Sequence, residues 1–303
     1  VVGADAAWQR RLRQFTLTVL AGRDHLPWSS TSMSERAAEF APSGVVTLTT
    51  DFGLKDPFVG VMKGRLFERF PAVRVIDLTH EILAHWPAEA GFWLARSFRY
   101  FPRGTVHVAV VDPGVGSARD IAAIEAEGHL FLAPDNGLLA AVLEAVESAT
   151  SRRVASSVLE RIGIGVPSAT FHGRDIFAPL AAELAAGRLA TGDLGRVTDD
   201  LIPGWLDEPV VGPAQVAGSI VTIDHFGNLI SNIDARHLRN LAHPLVRVGG
   251  RELPLRRTYS DVRPGEYLAL VNSFGVIEVA RAEQSAAQGL GLERGAPVVL
   301  VSR

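Results

Sequence analysis

Apolar residues along this chain follow two different periods, and the change falls near residue 204. Upstream, Val45–Thr50, Val73–Leu78 and Val106–Val111 are short β-branched runs of the kind found in strands buried on both faces. Between them the period lengthens. Phe58, Met62, Leu66 and Phe70 recur every fourth residue, one apolar helix face behind Asp56-Pro57, which reads as an N-cap followed by proline at the first helical position. A second helix is predicted from about Pro87 to Tyr100, closed by Pro102 and Gly104. This alternation of strand and helix predicts a mostly parallel sheet with helical crossovers. Strands near Ile121–Ala126 and His129–Ala133, and helices over Leu138–Val146 and Ile176–Ala186, complete an α/β domain over residues 44–203.

Pro203, Gly204, Pro209, Gly212 and Pro213 then mark a linker. Beyond it, strands are predicted over Gln215–Asp224, Leu245–Val248, Tyr267–Val271, Val276–Ala280 and Pro297–Val301, with a short helix around Asp234–Asn240. Residues 204–303 therefore read as a small β-rich domain, a barrel or sandwich. Residues 1–43 are different in character: a cluster at Arg10-Arg11-Leu12-Arg13, a short apolar stretch, and a Ser/Thr-rich piece containing Met33. They read as an N-terminal extension, disordered or non-native, with Met33 as the natural start.

Composition narrows the function. A chain of 303 residues has room for two cores. Its formal net charge of -3, without a Lys/Arg stripe, argues against nucleic acid as the partner. No uncharged apolar run approaches the ~20 residues of a membrane span. Cysteine is absent, which removes disulfides and thiolate chemistry and is compatible with a reducing cytoplasm. There are nine histidines, but no spacing among them matches a metal site, so no metal is expected.

Four segments carry candidate chemistry. The strand through Val111 stops at Asp112-Pro113-Gly114, and Arg119 is the first cation after that turn; acidic groups at the carboxyl ends of buried strands are where open α/β sheets place ligands. An ordinary turn with a surface arginine explains the segment equally well. Asp51 ends the first strand and suits a pair of ribose hydroxyls, or an Asx turn. Asp51-Phe52-Gly53 is not a kinase signature, because no glycine-rich loop precedes it and no His-Arg-Asp loop exists. His172, in His172-Gly173-Arg174-Asp175, sits before a helix and is suited to hold an anion or orient water; Arg174 and Asp175 read instead as an ion pair and a helix cap. In Asp224-His225-Phe226-Gly227-Asn228 the amide of Asn228 offers a donor and an acceptor to a purine edge and Phe226 a stacking face, or the segment is a plain β-turn.

Six blocks, TLTTDFGLKDPFVGVMKG, DLTHEI, GTVHVAVVDPGVGSAR, APDNG, TFHGRDIFAP and IDHFGNLISNI, occur in the order of one family. From about Val45 to its C-terminus the chain closely resembles the S-adenosyl-L-methionine hydrolases (SAM hydroxide adenosyltransferases), relatives of the fluorinating and chlorinating enzymes. The resemblance implies an N-terminal α/β domain, a C-terminal β-barrel, and a homotrimer with substrate bound between subunits. It implies a polar triad of Asp112, Arg119 and His172, with Asp51 on the ribose hydroxyls. Asp224 and Ser273 would lie near the methionine portion, and Asn228 and the backbone at Arg281 near adenine. Phe101, Phe171 and Phe226 would be apolar walls, and Asp56 a further site residue unless it serves only as the helix cap.

The implied reaction is hydrolysis to adenosine and L-methionine without a cofactor. A sulfonium is already a good leaving group, so positioning of the oxygen nucleophile is the main task. Halogenation is the nearest rival. It is disfavoured because His172-Gly173 stands where the halogenases have a hydroxyl-bearing pair, Arg119 suits water better than halide, and the stretch between Asp112 and Asp135 is short. A non-catalytic module that holds S-adenosylmethionine or adenosine is the remaining alternative. His80 and Glu81 match the family block without an evident chemical role.

Overall fold

A computed structural model of the protein describes residues 39–303. The reading of Met33 as a start, and most of the predicted extension, lie outside the described residues. Residues 40–43 do not stand apart from the fold. The Phe40 amide donates to Glu125 Oε1 at 2.8 Å, and that of Ser43 to the Gly104 carbonyl at 2.9 Å.

The first domain is a six-stranded sheet. Strands β1 (Val45–Thr50), β2 (Arg74–Thr79), β3 (Val106–Val110) and β5 (His129–Pro134) run parallel in the order β2-β1-β3-β5. Beyond β5, strand β4 (Ile121–Ala126) is antiparallel, and β6 (Thr150–Arg153) closes the far edge. The β-branched runs form the centre. Every residue of β1, β3 and β5 is buried, whereas the edge strand β2 leaves Ile76 exposed. Alternation in β3 sorts side chains to two cores. Val106, Val108 and Val110 face Met62 and Leu66 of α1 (Phe58–Arg69) and Leu180 and Leu184 of α5 (Ala178–Ala185). Ala109 and Val111 face Ala90 and Leu94 of α2 (Pro87–Ser97) and Val142 of α3 (Ala140–Ala145).

The chain leaves β1 for β2 on one side and returns to β3 on the other. Strand order therefore reverses between β1 and β3, and the crevice at their carboxyl ends is where such sheets bind ligands. Asp51 and Asp112 follow those two ends.

Several elements depart from the sequence reading. Asp56 does not cap α1. Pro57 occupies the cap position, no side chain bonds the first turn, and Asp56 is exposed. Strand β6 has no apolar residue to mark it, and α4 (Ser156–Arg161) is only six residues long. In the second domain β9 (Leu229–Asp234) and β11 (Arg251–Arg256) are strands that the sequence did not mark, and β11 carries Pro254 and three charges.

The second domain is a closed barrel. Strands β8 (Gln215–Ile223), β9, β13 (Val276–Arg281), β12 (Tyr267–Val271), β11, β10 (Leu245–Val248) and β14 (Pro297–Val301) pair in that order, and β14 pairs back to β8. The two-residue β7 (Val210–Val211) adds to β8 outside the ring. Ile220, Ile233, Val246, Ile277, Val279, Val298 and Leu300 fill the interior, and α6 (Ala286–Leu290) covers one side with Ala286 and Ala287. Closure removes the free strand edges that seven short strands would otherwise expose. Among the described residues no helix is long and apolar enough to cross a membrane.

The domains meet on the outer barrel face, where Val221, Ile230 and Val276 pack on Phe92 of α2. One buried charge sits in this joint. Glu89, 3% exposed, accepts the Leu83 amide at 2.9 Å, the Thr222 hydroxyl of β8, and the Arg294 guanidinium at 3.5 Å. Helix α2 also needs Gly91 for close packing: a Cβ there would lie 2.1 Å from the Leu138 carbonyl. Helix propensity alone makes Gly91→Ala stabilising by about 1 kcal/mol. Contact with a backbone atom reverses the sign, because forcing α2 from α3 costs about 1–3 kcal/mol or more. Urea unfolding of Gly91→Ala should therefore show a lower midpoint; a higher one would mean that α2 has room to shift.

Candidate active site

Three polar residues meet where β3 ends. Asp112 follows the buried run and Arg119 closes the loop behind it; His172 precedes the π-helical turn Gly173–Phe177 that leads into α5. Arg119 Nε donates to both Asp112 carboxylate oxygens at 3.1 Å, and Nη2 donates to Oδ2 as well. The same Nη2 lies 2.9 Å from His172 Nδ1. A guanidinium has only donors, so Nδ1 must accept and the imidazole proton sits on Nε2. The Arg119 and Asp112 side chains are 10% and 4% exposed.

Local contacts hold the triad. Asn136, in the Pro134-Asp135-Asn136-Gly137 segment, donates from Nδ2 to the Val111 carbonyl at 2.9 Å and so fixes the chain entering Asp112. Gly116, at φ 79°, lies against the segment before His172: a Cβ there would sit 2.2 Å from the Ala169 carbonyl. Any side chain at that position would separate the loop of Arg119 from the loop of His172.

Electrostatics follow from this packing. Burial lowers the His172 pKa below its ordinary value, and the Arg119 charge lowers it further, against opposing effects of Asp112 and Asp175. The imidazole is therefore neutral at neutral pH, as its hydrogen bond to Arg119 requires.

Around the triad the fit with the sequence reading is uneven. Phe171 forms an edge-to-face cluster with Phe52 and Phe58, with ring centroids 5.4–6.1 Å apart. Asp51 accepts the His85 amide at Oδ2, 2.9 Å away, and His85 takes φ 64°, a conformation rare for a side-chain-bearing residue. Phe101 precedes the amino end of β3, with its ring against His107, at the opposite end of the strand from Asp112. Asp175 does not cap a helix; it accepts the Ser168 amide at 2.9 Å and pairs with Arg174.

The barrel residues form their own group. Asp224 Oδ1 accepts the amides of Phe226 and Asn228, and Oδ2 accepts Asn228 Nδ2 at 2.9 Å. The Asn228 amide therefore spends one donor within its own turn, and Phe226 is 74% exposed. Arg281 points its guanidinium to the Gly265 carbonyl and the Tyr267 ring. Ser273 is exposed on the β12–β13 turn. No hydrogen bond or ion pair joins these side chains to the triad within the chain, among the described residues.

Sequence reasoning missed what supports Asp51. His80, 3% exposed, pairs through Nδ1 with Thr50 Oγ1 at 2.8 Å and brings Nε2 to 3.1 Å from Asp77, which in turn accepts Lys63. Thr50 Oγ1 also receives the Phe52 amide at 3.2 Å. Through the Thr50 hydroxyl, and through its own carbonyl, which accepts the Gly53 amide at 2.8 Å, His80 braces the turn that carries Asp51. Among the described residues no cluster of three or more potential metal ligands occurs.

Fold and site together define a two-domain α/β and β-barrel enzyme with a buried Asp–Arg–His centre. Residues 46–195 match the SAM hydroxide adenosyltransferase N-terminal domain, and residues 218–299 match the C-terminal domain. The chain belongs to the SAM hydroxide adenosyltransferase family. It is 40% identical over 266 residues to an (R)-S-adenosyl-L-methionine hydrolase of Thermus thermophilus, a match covering 84% of this chain and 99% of that protein. A protein of the same name from Salinispora tropica is 39% identical, with 84% and 97% covered. A fluorinase of an Actinoplanes species is more distant, at 27% identity with 84% and 97% covered. The crystal structure of an uncharacterized conserved protein from Thermotoga maritima superimposes with a TM-score of 0.77 at 34% identity, over 86% of this chain and all of that one.

The Arg119–His172 contact has a spectroscopic signature. Nitrogen-15 spectra of the imidazoles should show His172 as the Nε2–H tautomer at neutral pH, titrating below the ordinary histidine range. Arg119→Met removes one lowering influence and leaves Asp112 unneutralised, so the His172 midpoint should rise. A midpoint unmoved by that change would dissociate the two side chains.

Proposed function

We propose that the protein hydrolyses S-adenosyl-L-methionine to adenosine and L-methionine by attack of water or hydroxide at C5′. The observation that carries this reading is the continuous Asp112–Arg119–His172 contact at the strand-order reversal of the sheet. Similarity to proteins named (R)-S-adenosyl-L-methionine hydrolase supports it.

The chemistry follows from the substrate's charge. Cleavage of C5′–S releases a neutral thioether, so the leaving group needs no general acid and no cofactor is called for. The site must instead aim one oxygen at C5′ and exclude competing solvent. Arg119, with its charge partly balanced by Asp112, and the Nε2–H of neutral His172 are donors that hold and polarise that oxygen. Asp112 is the only anion of the three and takes the proton that water loses. Asp51, with Oδ2 held by the His85 amide, keeps Oδ1 for the ribose hydroxyls. The Phe52–Phe58–Phe171 cluster packs beside Gly173 and supplies an apolar wall next to His172, with the Arg174 guanidinium over the Phe171 ring at 5.1 Å.

A homotrimer with inter-subunit sites is part of the same reading. The triad lies on the α/β domain, while Asp224, Phe226, Asn228 and Ser273 lie on the barrel without bonding to it. An exposed Phe226 beside a polar turn fits a surface completed by another copy's triad. Halogenation is less well supported: the Asp112 carboxylate offers an acceptor that a water nucleophile can use and a halide cannot, and the similarity to fluorinase is lower.

Incubation with S-adenosylmethionine in oxygen-18 water should give labelled adenosine and methionine at rates indifferent to chloride and fluoride. A 5′-halo product would transfer the protein to the halogenases, and intact but bound substrate would make it a binding module. Alanine at Asp112, Arg119 or His172 should lower turnover by about 10²–10⁴-fold while sparing substrate affinity. Unchanged turnover in all three would overturn the roles given to them.

A further inference from the structure

The linker between the domains reaches back to the catalytic centre. Residues 202–205, where it begins, lie against the Pro134-Asp135-Asn136-Gly137 turn that follows β5. Asp135 is buried, and its Oδ1 accepts the Ile202 amide at 2.9 Å. The Trp205 indole donates from Nε1 to the Asn136 carbonyl at 2.7 Å. The approach is close enough to require glycine at 137: φ is 88°, and a Cβ would lie 2.4 Å from the Pro203 carbonyl and 3.0 Å from the Trp205 ring. Trp205 is 58% exposed, so burial alone gives little reason for an indole there. Its N–H supplies a bond that a phenylalanine could not.

The same turn grips both arms of the Asp112–Arg119 pair. Asn136 Nδ2 donates to the Val111 carbonyl at 2.9 Å, one residue before Asp112. Its Oδ1 accepts the Leu138 amide at 3.3 Å, which fixes the side chain with Nδ2 toward Val111. The Asp135 amide donates to the Asp120 carbonyl at 3.0 Å, one residue after Arg119. Arg119 Nη1 donates to that same carbonyl at 3.3 Å. Between the end of β5 at Pro134 and the start of α3 at Ala140 the turn belongs to no regular element, so bonds from outside determine its place. Two of them come from the linker.

We propose that the start of the linker is a strut of the catalytic centre: Trp205, together with the Ile202 amide, clamps the Asp135-Asn136 turn and through it acts as a positioning residue for Asp112 and Arg119. The inference rests on the reading of the protein as an S-adenosylmethionine hydrolase. Among the described residues Trp205 makes no hydrogen bond to the triad itself. Its contribution is geometric. An oxygen aimed at C5′ tolerates little displacement of the groups that hold it, so a small shift of this turn acts on turnover and spares affinity.

Trp205→Phe is the test. It keeps an aromatic ring against Gly137 and removes the Nε1–H donor. The expected result is a kcat lowered about threefold to tenfold, the range that one neutral hydrogen bond supports, with KM for S-adenosylmethionine changed by less than about twofold. In nitrogen-15 spectra the His172 midpoint should rise toward the ordinary histidine value, because a loosened Arg119 lowers it less. A merely structural role for an exposed indole would leave that midpoint where it is. In an Asn136→Ala background the same change should have a much smaller effect, since the bond to Val111 through which it acts is already gone. If Asn136→Ala does not fold, kcat and the His172 midpoint of Trp205→Phe decide the matter. An unchanged kcat, an unmoved midpoint, or two substitutions whose effects simply multiply would each overturn the proposal. Failure of the hydrolase reading would appear separately, as wild-type protein that releases no adenosine; the His172 midpoint of Trp205→Phe would then judge the strut by itself.

Discussion

A guanidinium held nine-tenths out of water survives only if its surroundings answer its charge. Removing Arg119 and Asp112 from solvent costs several kcal/mol for each ion, and the loss is offset only by good geometry and by satisfying the remaining donors. Most of what surrounds the carboxyl end of β3 can be understood from that demand. Asp112 receives three hydrogen bonds from Arg119, and His172 accepts another. Asn136 fixes the chain at Val111, and Gly116 allows the two loops to touch. An imidazole beside this cation is kept neutral by its position, so the site contains a polarising group, a neutral donor and one anion within a few ångströms.

The two domains contribute different properties to that arrangement. The sheet is rigid, with three fully buried central strands, and it places Asp51 and Asp112 on neighbouring ends of β1 and β3. The barrel has its core inside and carries polar turns outside, at Asp224–Asn228 and Asn272–Val276, each tied by an Asx-type hydrogen bond. Stiff strands suit chemistry that tolerates little displacement. Turns whose geometry is set by one or two side chains suit recognition, since the sequence can alter them without disturbing the core.

Much of this was legible in the residues. The β-branched runs ending at Asp51 and Asp112 identified buried parallel strands, and the family blocks brought Arg119 and His172 together although 53 positions separate them. What escaped notice had no apolar signal. Strand β6 is Thr-Ser-Arg-Arg, and β11 alternates around a single buried Leu253. His80 was visible only as part of a matched block; its use depends on Thr50 and Asp77, which register and a turn bring close. Asp56 failed as a cap because the helix begins one residue later than proline geometry suggested. Such contacts arise from tertiary packing, which local patterns do not encode.

The joint at Glu89 bears on how the protein can change over time. Its carboxylate is shared among a loop amide of the α/β domain, a barrel hydroxyl and a barrel arginine, and the same loop delivers the His85 amide to Asp51. Taking the barrel away would strip this anion of two partners and uncover the apolar patch of Val221, Ile230 and Val276 against Phe92. The halves are therefore expected to unfold together. They are poor material for recombination as well: a barrel borrowed from a distant relative would have to bring its own match for Glu89, or it would disturb the Asp51 turn from the far side of a domain boundary.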